Sequence, residues 1–187
     1  MGSAVVPVCL PWKANEPHID NLRESSKLTI TGWGRITNNN YKSKRAYLEF
    51  SVATRTLRKV ELPIAVPGTK VHKNCRTSNV TTQFCAGGIR GKLIKQMSSL
   101  QYKYGKNHCN VKYLIDYSPK KMNLFIGFDS CSGDSGGPAT YRETPGTPWY
   151  QLGIVSYGSS KCGRKDRPGA YTKIETYLPW IESHLQP

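Results

Sequence analysis

The ten-residue stretch 129–138, Asp-Ser-Cys-Ser-Gly-Asp-Ser-Gly-Gly-Pro, constrains the fold of this 187-residue chain more than any other segment. Its three glycines, at 133, 136 and 137, permit backbone angles that a Cβ forbids, so the stretch predicts a tight turn. Ser135 is a candidate nucleophile on that turn, and the amides of Gly133 and Ser135 can point together at a developing oxyanion. The alternative interpretation is a structural turn between strands, although the whole run is far more specific than a bare Gly-x-Ser-x-Gly.

The run resembles the nucleophile loop of trypsin-like (chymotrypsin-fold) serine proteases, and more of the chain is similar to that family in the same order. The matching segments are Gly32-Trp33-Gly34, Phe84-Cys85-Ala86-Gly87-Gly88 and Pro168-Gly169-Ala170-Tyr171. The resemblance implies an all-β fold, namely the second antiparallel β-barrel of a chymotrypsin-like two-barrel fold with a C-terminal helix and the first barrel missing. The arthropod clip-type secreted proteases are the candidate subgroup.

The resemblance implies two regions, and the second is interrupted by an insertion at 93–128. Residues 1–27 are expected to be the inter-barrel connecting segment, extended over 5–12 because Pro7 and Pro11 exclude helix. Residues 28–187 are expected to be the C-terminal barrel, with strands at 28–31, 55–64 and 153–158. Apolar residues at helical spacing predict a helix within 175–185, with Pro179 in its first turn.

The resemblance also implies a substrate pocket beside Ser135. Asp129 matches the aspartate at the base of the primary specificity pocket, where a desolvated carboxylate attracts a Lys or Arg side chain. Ser130 is expected to add a hydroxyl acceptor to that pocket. Further substrate-binding positions implied by the family are Ser156, Gly158 and Gly169. Tyr157 departs from the commoner tryptophan, and this change is expected to alter little.

A catalytic base for Ser135 cannot be identified. A serine hydroxyl is a weak nucleophile without an adjacent base, and the family's histidine lies in a Thr/Ala-Ala-His-Cys context. The family's orienting aspartate is also missing, and Asp20 is a poor substitute. Asp134 matches the residue that pairs with an amine made by activation cleavage, yet no segment resembles that terminus. The four histidines lack the family context and are interpreted as surface residues: His18, His72, His108 and His184.

The sequence therefore predicts a partial serine endopeptidase domain with trypsin-like (Lys/Arg) specificity that is inactive alone. The main alternative is a non-catalytic serine-protease homologue with a binding or regulatory role. The expected partners are a protein substrate cleaved after Lys or Arg, and protease inhibitors. No cofactor, nucleic acid or membrane partner is expected.

Six cysteines favour disulfides and an oxidising compartment, and no pair has the C-x-x-C spacing of a metal site. The resemblance implies the pairs Cys75–Cys85 and Cys131–Cys162. Cys9 matches a family cysteine that bonds to a propeptide or light chain, which would leave Cys9 and Cys109 without partners here. An extracellular, secreted location is inferred, although the N-terminus does not resemble a signal peptide.

An atypical insertion at 93–128 separates two family-like segments. It holds six lysines and one acid and shows no sustained helical or strand period. Because both flanks rejoin cleanly, we hypothesise a retained intron or gene-model error; the rival is a real surface loop in which Cys109 is free or bonded to Cys9. The formal charge is +15, from 27 basic and 12 acidic residues. A basic polymer-binding module is a third possibility, which rests on charge alone.

Overall fold

The computed structural model describes residues 7–23, 25–37, 51–53, 57–65, 73–77, 79–88, 101–104, 111–114, 129–159 and 162–185. The strands in these ranges are β1 (Lys27–Gly32), β2 (Arg35–Thr37), β3 (Ser51–Ala53), β4 (Arg58–Pro63), β5 (Gln83–Gly87), β6 (Gln101–Tyr104), β7 (Val111–Leu114), β8 (Pro138–Tyr141), β9 (Tyr150–Tyr157) and β10 (Pro168–Lys173). Two 3-10 turns, Ile19–Asn21 and Glu175–Tyr177, and the helix α1 (Leu178–His184) complete the described elements.

Six strands form one antiparallel sheet in the order β4-β1-β8-β9-β10-β5. An antiparallel bridge between Ile64 and Ala86, with the Ala65 amide donating to the Cys85 carbonyl, brings the two edges of the sheet together. The sheet therefore curls into a barrel, and α1 follows its last strand. These features confirm the expected all-β barrel with a C-terminal helix.

Alternating side chains of the curled sheet make the core. Leu28 and Ile30 of β1 point inward beside Leu62 of β4, and Tyr171 of β10 is fully buried and stacks on Phe84. In a sheet with one face covered, burial alternates along each strand, and β1 follows this pattern. Leu152 and Val155 of β9 belong to the same buried cluster.

The predicted elements agree with the structure in position, with small shifts at their ends. The strands expected at 28–31 and 55–64 correspond to β1 and β4, and the strand expected at 153–158 begins three residues earlier, as β9. The helix begins at Leu178 with Pro179 in its first turn, as expected. It covers the barrel less than its pattern indicates, because Leu178 is its one buried residue and Trp180 is 62% exposed.

The described part of the segment before β1 packs onto the barrel. Cys9 forms a parallel bridge with Tyr150, and its carbonyl accepts a hydrogen bond from the Gln151 amide. Within this segment a 3-10 turn at Ile19–Asn21 places Ile19 in the core, although most of the residues around it are polar. Burial of one isoleucine therefore overrides the polar composition around it.

The insertion contains regular structure, which corrects the expectation of an aperiodic stretch. Strands β6 and β7 pair in antiparallel register from Gln101 opposite Leu114 to Tyr104 opposite Val111. They form their own two-stranded sheet and are not paired with the barrel. The hairpin was missed because its strands are only four residues long, too short for a periodic signal. The rest of 93–128, His108 and Cys109 included, lies outside the described residues.

The disulfides Cys75–Cys85 and Cys131–Cys162 are both present, with Cα–Cα distances of 5.8 and 5.5 Å. Cys9 is disulfide-bonded as well, so no cysteine in the described ranges is free. The expectation that Cys9 lacks a partner in this chain is therefore wrong. Among the described residues, no helix is long and apolar enough to cross a membrane, and no three potential metal-ligating side chains are grouped together.

Candidate active site

The loop that contains Ser135 is fixed to strand β9 on one side. The Gly136 amide donates to the Val155 carbonyl, and the Val155 amide donates to the Gly137 carbonyl, each at 2.9 Å. Gly133 and Gly136 have φ angles of 98° and 82°, a region that other residues rarely adopt. The glycines thus make the sharp turn that the sequence predicts, and Ser135 lies exposed on it.

Asp134 holds the other side of the loop through both carboxylate oxygens. Its Oδ1 accepts a hydrogen bond from the Gly34 amide at 2.8 Å, and its Oδ2 accepts one from the Cys131 amide at 2.9 Å. A Cβ at Gly32 or Gly34 would overlap this carboxylate, which explains why both positions of the Gly-Trp-Gly motif are glycine. Two backbone amides therefore bind the Asp134 carboxylate, whose expected partner was the amino terminus made by activation cleavage.

Two amides of the loop remain available to an anion. Neither Gly133 nor Ser135 donates its N–H to an acceptor within the part of the chain that the structure describes. Buried amides are normally paired, whereas an unpaired pair at an exposed turn can bind a negatively charged oxygen. This state of the two amides is compatible with the oxyanion site expected from the sequence.

The hydroxyl of Ser135 has one weak described partner. Its Oγ donates to the Ser156 carbonyl at 3.5 Å, the outer limit of a hydrogen bond. No histidine among the described residues contacts it, since His18 binds Glu175 and Lys13, and His184 binds groups of its own helix. His72 lies outside the described residues, as His108 does. The described site therefore contains a serine without a base.

Asp129 lies in an enclosed site whose walls are glycine. A Cβ at Gly87 would come within 3.2 Å of its Oδ1, and a Cβ at Gly169 within 3.4 Å, so any larger residue would crowd the carboxylate. Its Oδ2 accepts a 3.3 Å hydrogen bond from the Gly163 amide, whereas the buried Oδ1 has no hydrogen-bond partner. Burial raises the pKa of Asp129 to about 7, against the weaker opposing effect of the Gly163 and Ser130 amides.

Ser130 connects this site to the core of the barrel. Its Oγ lies 2.9 Å from the hydroxyl of Tyr171, and it is 3.4 Å from the position that a Cβ of Gly169 would take. Burial raises the pKa of Tyr171, so its phenol stays protonated. The sequence singled out Tyr171 only as part of a family-like run. Gly87 and Gly163 were likewise not predicted near Asp129, because Gly87 ends strand β5 and Gly163 lies in a later turn, both distant from Asp129 in sequence.

Strand β9 ends beside the pocket at an open edge. The pairing with β8 stops at Ile154, which leaves Ser156 and Gly158 beyond the ladder on that side. A Cβ at Gly158 would meet the Gly169 backbone at 3.5 Å, so these two glycines face each other. Backbone groups at such an edge can pair with an extended peptide.

Tyr157 is attached to the disulfide loop 75–85, which the sequence did not predict. Its hydroxyl lies 3.1 Å from the Arg76 carbonyl and 3.1 Å from Oε1 of Gln83. The residue nevertheless remains 45% exposed. The hydroxyl thus connects the open edge of β9 to the loop closed by the Cys75–Cys85 disulfide.

A charged network lies elsewhere on the barrel, and His18 belongs to it. The His18 Nδ1 is 2.9 Å from Glu175, and its Nε2 is 3.0 Å from the Lys13 carbonyl, so His18 is more enclosed than the expected surface histidine. The buried Lys173 donates to both oxygens of Asp20 at 2.7 and 2.8 Å. Asp20 therefore balances a buried cation.

Residues 56–181 match the Trypsin family. The chain is 30% identical over 191 residues to the phenoloxidase-activating enzyme of Bombyx mori, and 30% identical over 187 residues to melanization protease 1 of Drosophila melanogaster. Each alignment covers 97% of this chain, but 32% and 34% of the relative. A CLIP domain-containing serine protease of Bombyx mori, HP8, is 28% identical with 36% covered. The chain thus spans about a third of the length of these relatives.

Proposed function

The chain belongs to the trypsin family of serine proteases, and we propose that it supplies the nucleophile and the primary specificity pocket of an endopeptidase that cleaves after Lys or Arg. Residues 28–187 are the C-terminal barrel in this proposal, with 1–27 as the connecting segment. Ser135 is the nucleophile, and the amides of Gly133 and Ser135 stabilise the oxyanion. Ser130, Ser156, Gly158 and Gly169 bind the substrate around Asp129.

The single observation that carries the proposal is the unpaired Oδ1 of Asp129. A buried carboxylate without a partner is costly, and this cost is recovered when a cation enters and pairs with it. The glycines at 87 and 169 leave space at that oxygen where a side chain would fill it. The Asp129 carboxylate lies at the bottom of a pocket lined by glycine. A long side chain with a terminal cation, such as Lys or Arg, is the ligand that fits such a pocket.

Binding of benzamidine to the purified chain, followed by isothermal titration calorimetry, tests the pocket without requiring catalysis. The amidinium can pair with both carboxylate oxygens, as an arginine side chain does. Asp129→Asn is expected to weaken binding at least about 30-fold, because one partner of a buried charge pair is removed. Neutral benzamide, which has the same shape, is expected to bind weakly to both proteins.

Asp166→Asn is the matched control for this experiment. It removes one negative charge from the neighbouring 163–168 loop, and Asn tolerates the positive φ of 58° that Asp166 adopts. Its affinity for benzamidine is expected to remain near that of the parent chain. Equal affinity of the parent chain and Asp129→Asn would refute the pocket.

We further propose that the 187 residues alone do not catalyse peptide hydrolysis. The support is the lack of a described histidine near Ser135, since the hydroxyl then has no group to take its proton. A purified chain is expected to leave an arginyl ester unhydrolysed above the rate of Ser135→Ala. Turnover by the parent chain that is lost in Ser135→Ala would contradict this part of the proposal while supporting the nucleophile.

The alternative function is a non-catalytic homologue that binds proteins through the same surface. The weak 3.5 Å contact of Ser135 favours it, because nothing in the described site activates the hydroxyl. The retained pocket around Asp129 argues against long loss of substrate selection. Neither proposal predicts that a fluorophosphonate labels the purified chain, because Ser135 has no described base. Transcript sequence upstream of residue 1 separates the two: a histidine codon in the family's Thr/Ala-Ala-His-Cys context would favour the endopeptidase, and a full-length message without one would favour the homologue.

Partners and location follow from the family rather than from the site. We propose a secreted protein that protease inhibitors recognise at the open edge of β9, in line with the disulfides. A separate chain bonded through Cys9 would have to replace the disulfide that Cys9 already makes. Non-reducing and reducing electrophoresis of the secreted protein distinguishes the two cases, because only an interchain bond changes the mass on reduction.

A further inference from the structure

The loop closed by the Cys75–Cys85 disulfide carries Asn79-Val80-Thr81, the one Asn-x-Ser/Thr sequence in the chain with a residue other than proline between. We propose that the side-chain amide of Asn79 is the attachment point of an N-linked oligosaccharide. Such chains are attached at this tripeptide in secreted proteins. The inference rests on the proposed secreted location and adds a covalent modification to it.

The geometry leaves the reactive nitrogen of Asn79 available. Its Oδ1 accepts a hydrogen bond from the Thr81 amide at 2.8 Å, which fixes the side chain in a turn. The Nδ2 makes no hydrogen bond to any described residue, and Asn79 is exposed. Val80 beside it is 73% exposed, so a bulky sugar at this turn displaces no packed side chain.

The required chemistry is a group transfer without oxidation or reduction. The co-reactant is an oligosaccharide joined through its first sugar carbon, C1, to a lipid pyrophosphate. A bond forms between Nδ2 of Asn79 and that C1, and the bond from C1 to the pyrophosphate oxygen breaks. The lipid pyrophosphate leaves with the electron pair, and the amide nitrogen loses one proton to the solvent.

The folded barrel also tolerates the product at this position. The loop is anchored on both sides of Asn79, by the disulfide at its ends and by the hydroxyl of Tyr157 near Arg76 and Gln83. The carbonyl of Thr81 accepts a hydrogen bond from Thr176, which fixes the turn to the start of the C-terminal segment. None of these contacts uses the Asn79 nitrogen, so attachment of a sugar leaves all of them intact.

Translation of the full chain behind a cleavable signal peptide, in the presence of microsomes, tests the acceptor directly. Signal cleavage and protection from added protease identify the translocated chain. The expected result is one decrease in gel mobility that endoglycosidase H reverses. Asn79→Gln and Thr81→Ala are each expected to abolish the shift, whereas Thr81→Ser retains the hydroxyl and is expected to keep it.

A translocated parent chain without the shift would overturn the proposal, as would a shift that persists in Asn79→Gln. Neither readout requires the chain to fold or to bind substrate. Benzamidine affinity of Asn79→Gln, which is expected to equal that of the parent chain, keeps the two proposals separate: loss of binding in Asp129→Asn concerns the pocket, and loss of the shift concerns Asn79.

Discussion

The imidazole of His18 joins the segment before β1 to the end of β10, because its Nδ1 lies 2.9 Å from Oε2 of Glu175. Its Nε2 lies 3.0 Å from the Lys13 carbonyl, another group that only accepts. Both ring nitrogens must donate to satisfy both partners, so the imidazolium fits this site better than the neutral ring. Burial lowers the pKa of His18, but the Lys13 carbonyl and Glu175 together raise it further, and the net pKa is above the usual value.

Stability is therefore expected to fall as pH rises through the pKa of folded His18. The contribution is fully present below the unfolded pKa of about 6.5 and is lost above the folded one. Its size is that of a partly exposed ion pair, about 0.5 kcal/mol. Urea unfolding of His18→Gln between about pH 5 and pH 9 should lack this component, since glutamine does not titrate.

The measurement is best made in an Asp129→Asn background, because Asp129 titrates in an overlapping range. His184→Gln is the control, since His184 lies exposed on α1 and its hydrogen bonds to described residues stay within that helix. A pH profile of His18→Gln that superimposes on that of the parent would show that the contact with Glu175 does not form in solution.

Asp129 is expected to dominate the pH dependence of stability in the acidic range. Its folded pKa of about 7 exceeds the ordinary 3.8, so between these values the unfolded state releases a proton that the folded state keeps. As pH rises through that range, the free energy of unfolding should therefore fall by up to about 1.4 kcal/mol per pH unit. The stability of Asp129→Asn should depend less on pH over that range. Above about pH 7 the variant should be more stable than the parent.

Benzamidine should bind the ionised form of Asp129, so its affinity should increase as pH rises, while the stability of the unbound chain decreases. Its affinity is expected to rise about tenfold per pH unit below about pH 7 and then to level off. A pH-independent affinity would indicate that the amidinium binds somewhere other than Asp129.

Substitution of Gly34 tests the close approach of Asp134. A Cβ at Gly34 would overlap the Asp134 carboxylate, so Gly34→Ala should displace it and break the hydrogen bonds to the Gly34 and Cys131 amides. The expected cost is about 1 to 3 kcal/mol in the free energy of unfolding. Gly158→Ala is the control, because its Cβ would meet only the Gly169 backbone at an ordinary 3.5 Å.

The control should separate stability from binding. Gly158→Ala is expected to change the free energy of unfolding by less than about 0.5 kcal/mol, while narrowing the space opposite Gly169 and weakening benzamidine. Equal stabilities of the two variants would mean that Asp134 can relocate without loss.

Removal of the Tyr157 hydroxyl should loosen the disulfide loop. One hydroxyl hydrogen serves one acceptor at a time, so when the Arg76 carbonyl accepts it, the Gln83 side-chain amide has to turn so that its NH2 group donates to the phenol oxygen. Tyr157→Phe keeps the ring and should lower the free energy of unfolding by about 0.5 kcal/mol, since the group is exposed. Amide hydrogen exchange should become faster at 79–83 in the variant and remain unchanged in β1. An equal change in both regions would contradict the role of the Tyr157 hydroxyl in holding the 75–85 loop.

The insertion is open to a direct test at the level of the transcript. If the stretch is a retained intron, most reverse-transcribed messages should lack the codons for residues 93–128 between those for Lys92 and Asp129. Its presence in most transcripts would instead support a real loop that includes the β6–β7 hairpin. A protein that lacks 93–128 should retain both described disulfides and bind benzamidine, because β6 and β7 do not pair with the barrel.

Local chemistry accounts for what the sequence could predict. Glycines with positive φ, alternating strands and Pro179 at the start of α1 impose their conformations on nearby residues, so their consequences can be read from short windows. The two disulfides came from likeness to known proteins and not from spacing. The hydrogen bond from the Gly34 amide to Asp134 was not predictable, because Gly34 lies 100 residues away in sequence. The same limit applies to Lys173, whose acid partner is separated from it by 153 residues.

That separation has a consequence for the order in which the chain can assemble. At about 5 to 20 residues per second, a ribosome extends the chain by 153 residues in about 8 to 30 s, so Asp20 waits that long for Lys173 to be made. Strands β1 and β4 are complete well before then and can pair early, whereas Glu175, the partner of His18, is made after Lys173. The ion pair between Asp20 and Lys173 is therefore among the last contacts of the described barrel that can form during synthesis, and Asp20 stays in water until then.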